Sequence, residues 1–149
     1  MAERKGRPTA FLSQDEKERV EAAIASAERR TSGEIRVMIA RSVRGEVLDA
    51  ARARFARLKM HETRDRNGLL ILLAVASRRF AIFGDREVDR LIGQQGWDRV
   101  RDGMAERFRA GEFAEGLVYA VEQVAAVLAE HFPWREDDTN ELPNEVVEE

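Results

Sequence analysis

Glu34, Asp65, Asp85, Glu87 and Asp89 are the side chains whose type and spacing could do chemistry. All but Glu34 fall at the two ends of one stretch, Asp65 to Asp89. Carboxylates delivered by several loops, together with backbone carbonyls, make the oxygen-rich shells that hard divalent cations require. Acids gathered closely repel one another unless a cation, a proton or an arginine offsets them. The same residues also support phosphoryl transfer. A metal and Arg64 or Arg66 would hold a phosphate while Asp65 or Asp85 attacks it or positions water. The plain alternative is that Arg64, Arg66 and Arg86 pair with these acids as ordinary surface charge. Gly84-Asp85 then serves as a turn in which Asp85 caps the next helix. No EF-hand loop, Walker loop, dinucleotide fingerprint or serine elbow is present.

Other chemistries are excluded or disfavoured by what the chain lacks. With no cysteine there is no disulfide, thiol nucleophile or thiolate metal site. Only His61 and His131 occur, which argues against a multi-histidine zinc site; His61 reads as exposed and His131 as a cation at the end of the last helix. A net charge of −3 gives no general reason to expect nucleic acid or an anionic membrane as partner. No segment approaches the roughly 20 apolar residues that cross a bilayer, and no apolar signal core follows the basic start MAERKGRPTAF. The expected setting is cytoplasmic, with no membrane insertion.

The elements that would position the acids follow from periodicity. Leu69 to Val75 is an unbroken apolar run, the pattern of a strand covered on both faces. Asn67-Gly68 opens it, and Ala76-Ser77-Arg78 leads into a second strand, Arg79 to Phe83, as an antiparallel hairpin. The outer ends of that hairpin set Asp65 and Asn67 beside Asp85 and Glu87. Upstream, Ser13 with Glu16 forms a capping box for a helix whose buried face is Val20, Ala23, Ile24 and Ala27. Glu34 to Ala40 alternates as a strand, with Ile35, Val37 and Ile39 on one side. A helix over 46–59, with Val47, Leu48, Ala51, Phe55 and Leu58 as its apolar face, links it to the buried strand. Strand, helix, strand is a crossover unit with parallel strands, so Glu34 joins the edge that carries Asp65 and Asp85. The basic pairs Arg41/Arg44 and Arg78/Arg79 gather at the opposite edge.

After Asp85 a short helix precedes a break at Gly93-Gln-Gln-Gly96. A long helix with the stripe Trp97, Val100, Met104 and Phe108 follows, and a last helix runs over 113–130. The expected organisation is a flexible arm at 1–11, one domain at 12–134 and an acidic mobile tail at 135–149. The fold class is α/β: a three-layer α/β/α sandwich around a small mixed sheet. Leu142-Pro143 with Val146-Val147 among acids is a candidate docking motif within the tail.

The central stretch resembles the TPM domain family, named for a thylakoid lumen protein, a photosystem II repair protein and a nematode receptor auxiliary protein. The residues that carry the likeness are Asp65, Asn67-Gly68, Leu69 to Val75, Arg78-Arg79 and Gly84-Asp85. Ser32-Gly33-Glu34 and Phe108-Arg-Ala-Gly-Glu-Phe-Ala-Glu-Gly116 add to it. The resemblance implies helices sandwiching a small sheet, a calcium-type site at the acidic edge and a phosphatase activity. Calcium is expected ahead of magnesium, with Asp65 and Asp85 as ligands and Glu34 and Glu87 after them. Asp65 and Asp85 are the catalytic candidates, and Arg64 and Arg66 the phosphate-binding ones. Many relatives have Gly-Tyr-Gly-Glu after the hairpin where this chain has Gly84-Asp-Arg-Glu-Val-Asp89. The alternative is a non-catalytic module that holds a partner protein through a helix face or the acidic tail.

Overall fold

The computed structural model describes residues 11–134 and 145–149. In chain order the elements are α1 (Gln14–Glu28), β1 (Glu34–Ala40), α2 (Val47–Arg57), a 3-10 turn (Met60–Glu62), β2 (Gly68–Ala74) and β3 (Arg79–Gly84). They continue with α3 (Arg86–Arg109), α4 (Phe113–His131) and β4 (Val147–Glu148). The strands lie in the order β3-β2-β1-β4. β2 is parallel to β1 and antiparallel to β3, and β4 is parallel to β1, so the sheet is mixed.

Each strand face finds a different partner. Ile35, Val37, Ile39, Leu69, Ile71 and Leu73 face a core built with α1, α3 and α4. Met38, Ala40, Leu70 and Leu72 face Ala50, Ala51 and Phe55 of α2. That makes three layers, helices on both sides of one sheet. It also explains why β2 is apolar throughout, since every one of its residues is buried. The expected cap of α1 forms: Ser13 Oγ accepts from Glu16 N at 3.1 Å, and Glu16 accepts from Ser13 N at 2.9 Å.

Four details differ from expectation. Leu48 was placed on the buried face of α2 but is 43% exposed. Val47, Ala51, Phe55 and Leu58 already complete that face at helical spacing, and Leu48 is turned about 100° from it. The break after Asp85 is narrower than four residues. Gly93 alone leaves helical geometry, at φ 67° and ψ 173°, a conformation essentially reserved for glycine. Residues 1–10 of the expected arm lie outside the described residues, but Phe11 is buried, its ring edge-on to Phe113 with centroids 4.8 Å apart. Of the expected tail, 135–144 lies outside the described residues, while 145–149 packs against the sheet. Val146 joins the core and β4 covers the edge of β1. An apolar pair inside an acidic run is enough to anchor it, because cations wait beside β1.

No helix among the described residues is long and apolar enough to cross a membrane.

Candidate functional site

Register brings Glu34 and Asp85 to the same end of the sheet. Glu34 pairs with Gly68 across β1 and β2, and Asp85 N donates to Gly68 O at 2.8 Å from beyond β3. Gly68 therefore lies between two buried carboxylate residues, each 4% exposed. The turn that leads into β2 is held against both neighbours. Asn67 O accepts from Glu34 N and Arg66 O accepts from Glu87 N, each at 3.3 Å.

Asp85 caps α3 and is already engaged. Its Oδ1 accepts from Arg86 N at 2.7 Å and from Arg66 Nη2 at 2.9 Å, and its Oδ2 accepts from Arg66 Nε at 2.8 Å. Such a fork is the strongest form of ion pair a carboxylate can make. The hydrogen bonds to Asp85, and then its charge, push the Arg66 guanidinium further above its ordinary value. Arg66 reaches Asp85 from a left-handed backbone position, φ 52°, and its side chain is 39% exposed.

The other acids are dispersed. Glu87 accepts from Arg90 one turn along its own helix, at 2.9 Å. Asp89 accepts from Trp97 Nε1 at 2.9 Å. Asp65 is one-third exposed, with Arg64 at 4.0 Å. Arg64 itself is exposed, as are His61 and His131. Among the described residues, no three histidine or acidic side chains gather as a metal-holding group. The expected cluster of acids is therefore dispersed: Glu34 and Asp85 share one end of the sheet, Asp85 is held by Arg66, and Glu87 and Asp89 turn to partners on their own helix.

Sequence reading missed what lies between the acids. Asn67 is 1% exposed, and neither its Oδ1 nor its Nδ2 has a hydrogen-bond partner. Thr63, 4% exposed, likewise has an unpartnered Oγ1. Orphaned buried polar atoms are rare in folded proteins because each costs the desolvation of a group that water once satisfied. In the sequence, Asn67-Gly68 signals only a turn. The burial that makes the amide unusual comes from β1, which is distant along the chain. Beside Asp85, a groove of about 530 Å³ opens along the outer edge of β3, lined by Arg52, Phe83, Arg86, Trp97 and Arg101.

As donors for a divalent cation, these residues fit in kind. Glu34 and Asp85 supply charge, and Asn67 Oδ1 and Thr63 Oγ1 supply neutral oxygens without other duties. Asp85 would have to exchange Arg66 for the metal.

The chain matches the TPM domain family over residues 7–127. It is similar to the BA42 protein of the psychrophilic bacterium Bizionia argentinensis, solved by NMR: 38% identity, TM-score 0.87, covering 93% of this chain and 96% of that one. An N-terminal domain of a protein from P. gingivalis shares 24% identity at TM-score 0.67, covering 81% of this chain and 78% of that one. The N-terminal domain of the cg2496 protein from Corynebacterium glutamicum shares 15% identity at TM-score 0.64, covering 95% and 83% respectively. These last two show a common fold only. A comparison with curated proteins finds no match. With the family matched over most of its length and both core layers in place, this chain belongs to the TPM domain family.

Proposed function

We propose that this TPM domain binds a divalent cation, calcium ahead of magnesium, where Glu34, Asn67 and Asp85 meet at the sheet edge. The observation that carries the reading is the buried Asn67 amide, unpartnered at both atoms, in a turn flanked by two buried carboxylate residues. A hard cation gives Asn67 Oδ1 the partner it lacks. An irregular, turn-built donor set suits the flexible coordination of calcium better than the strict octahedron of magnesium. Asp65, more exposed, is an outer ligand in this reading, and Glu87 is held away by Arg90. The setting proposed is cytoplasmic.

We assign cation binding rather than hydrolysis to the site. Phosphate-ester cleavage, which family likeness implies, needs Asp85 as nucleophile or base. Both of its oxygens accept hydrogen bonds from Arg66, and one accepts also from Arg86 N. Arg64 and Arg66 as phosphate holders would have to leave Asp65 and Asp85.

The test is thermal unfolding with and without calcium. A cation that binds only the folded state raises the midpoint by mass action, about 2.7 kcal/mol at one hundred times Kd. Wild type should show a calcium-dependent rise that Glu34→Gln with Asp85→Asn removes, with magnesium giving less. An unchanged midpoint at millimolar calcium would sink the assignment. Turnover of p-nitrophenyl phosphate lost in Asp85→Asn would restore the hydrolase reading.

A further inference from the structure

We infer that the slot between α1 and α2, along the outer edge of β1, accepts an extended acidic segment of a partner protein as an added strand. Residues 145–149 are its occupant in cis.

Four of the five residues of Glu145-Val-Val-Glu-Glu149 meet a matching surface, and the alternation of a strand decides which. Val146 enters the core shared with α1 and α4, and its N–H donates to Glu21 Oε2 at 2.9 Å. Val147 pairs with Met38 and packs on the α2 side. Glu148 accepts from Lys17 Nζ of α1 at 2.5 Å. Glu149 is held from α2 by Arg54, whose Nε and Nη2 donate to Oε2 at 2.9 and 2.7 Å, and by Arg57. Its backbone N–H donates to Ile39 O at 2.9 Å. The slot thus selects an acid, two apolar residues and two acids in extended form. Main-chain pairing with alternate side-chain pockets is how strand-addition sites recognise peptides.

Two observations point past a merely structural strand. Arg36, in the middle of β1, is only 9% exposed, and its Nε has no hydrogen-bond partner. Burial lowers its pKa, and the charge of Glu145, two residues before the paired Val147, offsets this only by attraction across space. The cis segment therefore leaves the Nε of the slot's most buried cation without a partner, and a segment with a better-placed acid would supply one. In addition, the register of β4 is only two residues long, so the cis contact has little main-chain pairing to lose on exchange.

The experiment uses the full chain and a fluorescent peptide of sequence ELPNEVVEE. In Val146→Asp, which frees the segment, the peptide should bind about tenfold more tightly than in wild type, where the tethered copy competes at high effective concentration. Glu148→Lys with Glu149→Lys, which keeps the valine, should give the same gain should Val146→Asp fail to fold. Adding Arg54→Gln and Arg57→Gln to either should weaken the peptide again by about tenfold, the loss of a charged, partly buried contact. A scrambled peptide of equal composition should bind no variant. Equal peptide affinity in wild type and both freed variants would overturn the inference. So would insensitivity to Arg54 and Arg57, or a wild-type dimer with exchanged segments.

Discussion

Arg66 grips Asp85 with two parallel hydrogen bonds, 2.8 and 2.9 Å, from a backbone position at φ 52°. The pair closes the end of the sheet with a cation that belongs to the chain, at the carboxylate a metal would need. Glycine adopts that backbone without cost, so Arg66→Gly removes the guanidinium while keeping the turn. We expect this variant to bind calcium several-fold more tightly, because the competing charge is gone, and to unfold at lower temperature without calcium. Calorimetric titration checks the first outcome and a thermal melt the second. Weaker calcium binding would mean that Arg66 shapes the site rather than competing for it.

Acid should release the segment 145–149. Partial burial pushes the Glu149 carboxyl up, but the hydrogen bonds and charges of Arg54 and Arg57 outweigh it and hold its pKa below the ordinary 4.5. The folded state then binds fewer protons than the unfolded chain, so the contribution is complete above about 4.5 and fades as pH falls through the lowered folded value. NMR signals of the Val146 and Val147 methyls should stay unchanged between pH 8 and about 5 and move toward free-peptide positions below that. Arg54→Gln with Arg57→Gln removes every cause that lowers the value and leaves only burial, so acid should no longer loosen the segment through Glu149.

Two glycines of the helical layer should respond differently to alanine. A Cβ at Gly116 would lie 2.4 Å from Cε1 of Phe108. That ring packs against Phe80 and Phe113, with centroids at 5.1 and 5.5 Å, and gives up both contacts if it moves. Gly116→Ala should therefore cost about 1–3 kcal/mol, the usual penalty of overpacking. A Cβ at Gly103 would meet the ring of Tyr119 even more closely, at 2.2 Å. Tyr119, however, lines an open groove, with Arg107 over its ring and its other side against the core, so its ring can shift toward the groove. The gain in helix propensity, about 1 kcal/mol, then offsets the displacement and leaves Gly103→Ala near neutral. Chemical denaturation of both variants decides.

What could be read without coordinates was what neighbouring residues determine. The apolar run Leu69 to Val75, the alternation from Glu34 to Ala40 and the Ser13 capping box are local patterns, and each forms as read. The strand that begins at Glu34 and the turn at Gly84-Asp85 also arrive at one sheet edge, as the crossover and hairpin require. The rest depends on partners far along the chain. Glu148 meets Lys17 across 131 positions, so the last five residues of a run that composition alone reads as a tail pack on their own domain. Asn67 looks like a turn former until Glu34 N–H binds its carbonyl and the surrounding layers bury its amide. Arg66 looked like a phosphate holder, and only the left-handed turn reveals that it is committed to Asp85.

Asn67 offers the sharpest separation of function from stability. Its amide is buried with both polar atoms unpartnered, so in the absence of metal it costs stability. Asn67→Leu replaces those atoms with apolar ones of similar bulk, and should raise the stability of the metal-free domain by about 1 kcal/mol. A gain of that size corresponds to roughly 3–6 °C in the midpoint for a domain of this length. The same variant has lost the neutral oxygen assigned to the cation, so its midpoint should no longer rise with calcium. The two effects oppose each other: wild type is the less stable protein without calcium and should gain on the variant as calcium increases. A metal-free melt in which Asn67→Leu is clearly less stable would mean that the amide makes favourable contacts in solution. A calcium response that survives the substitution would place the cation elsewhere.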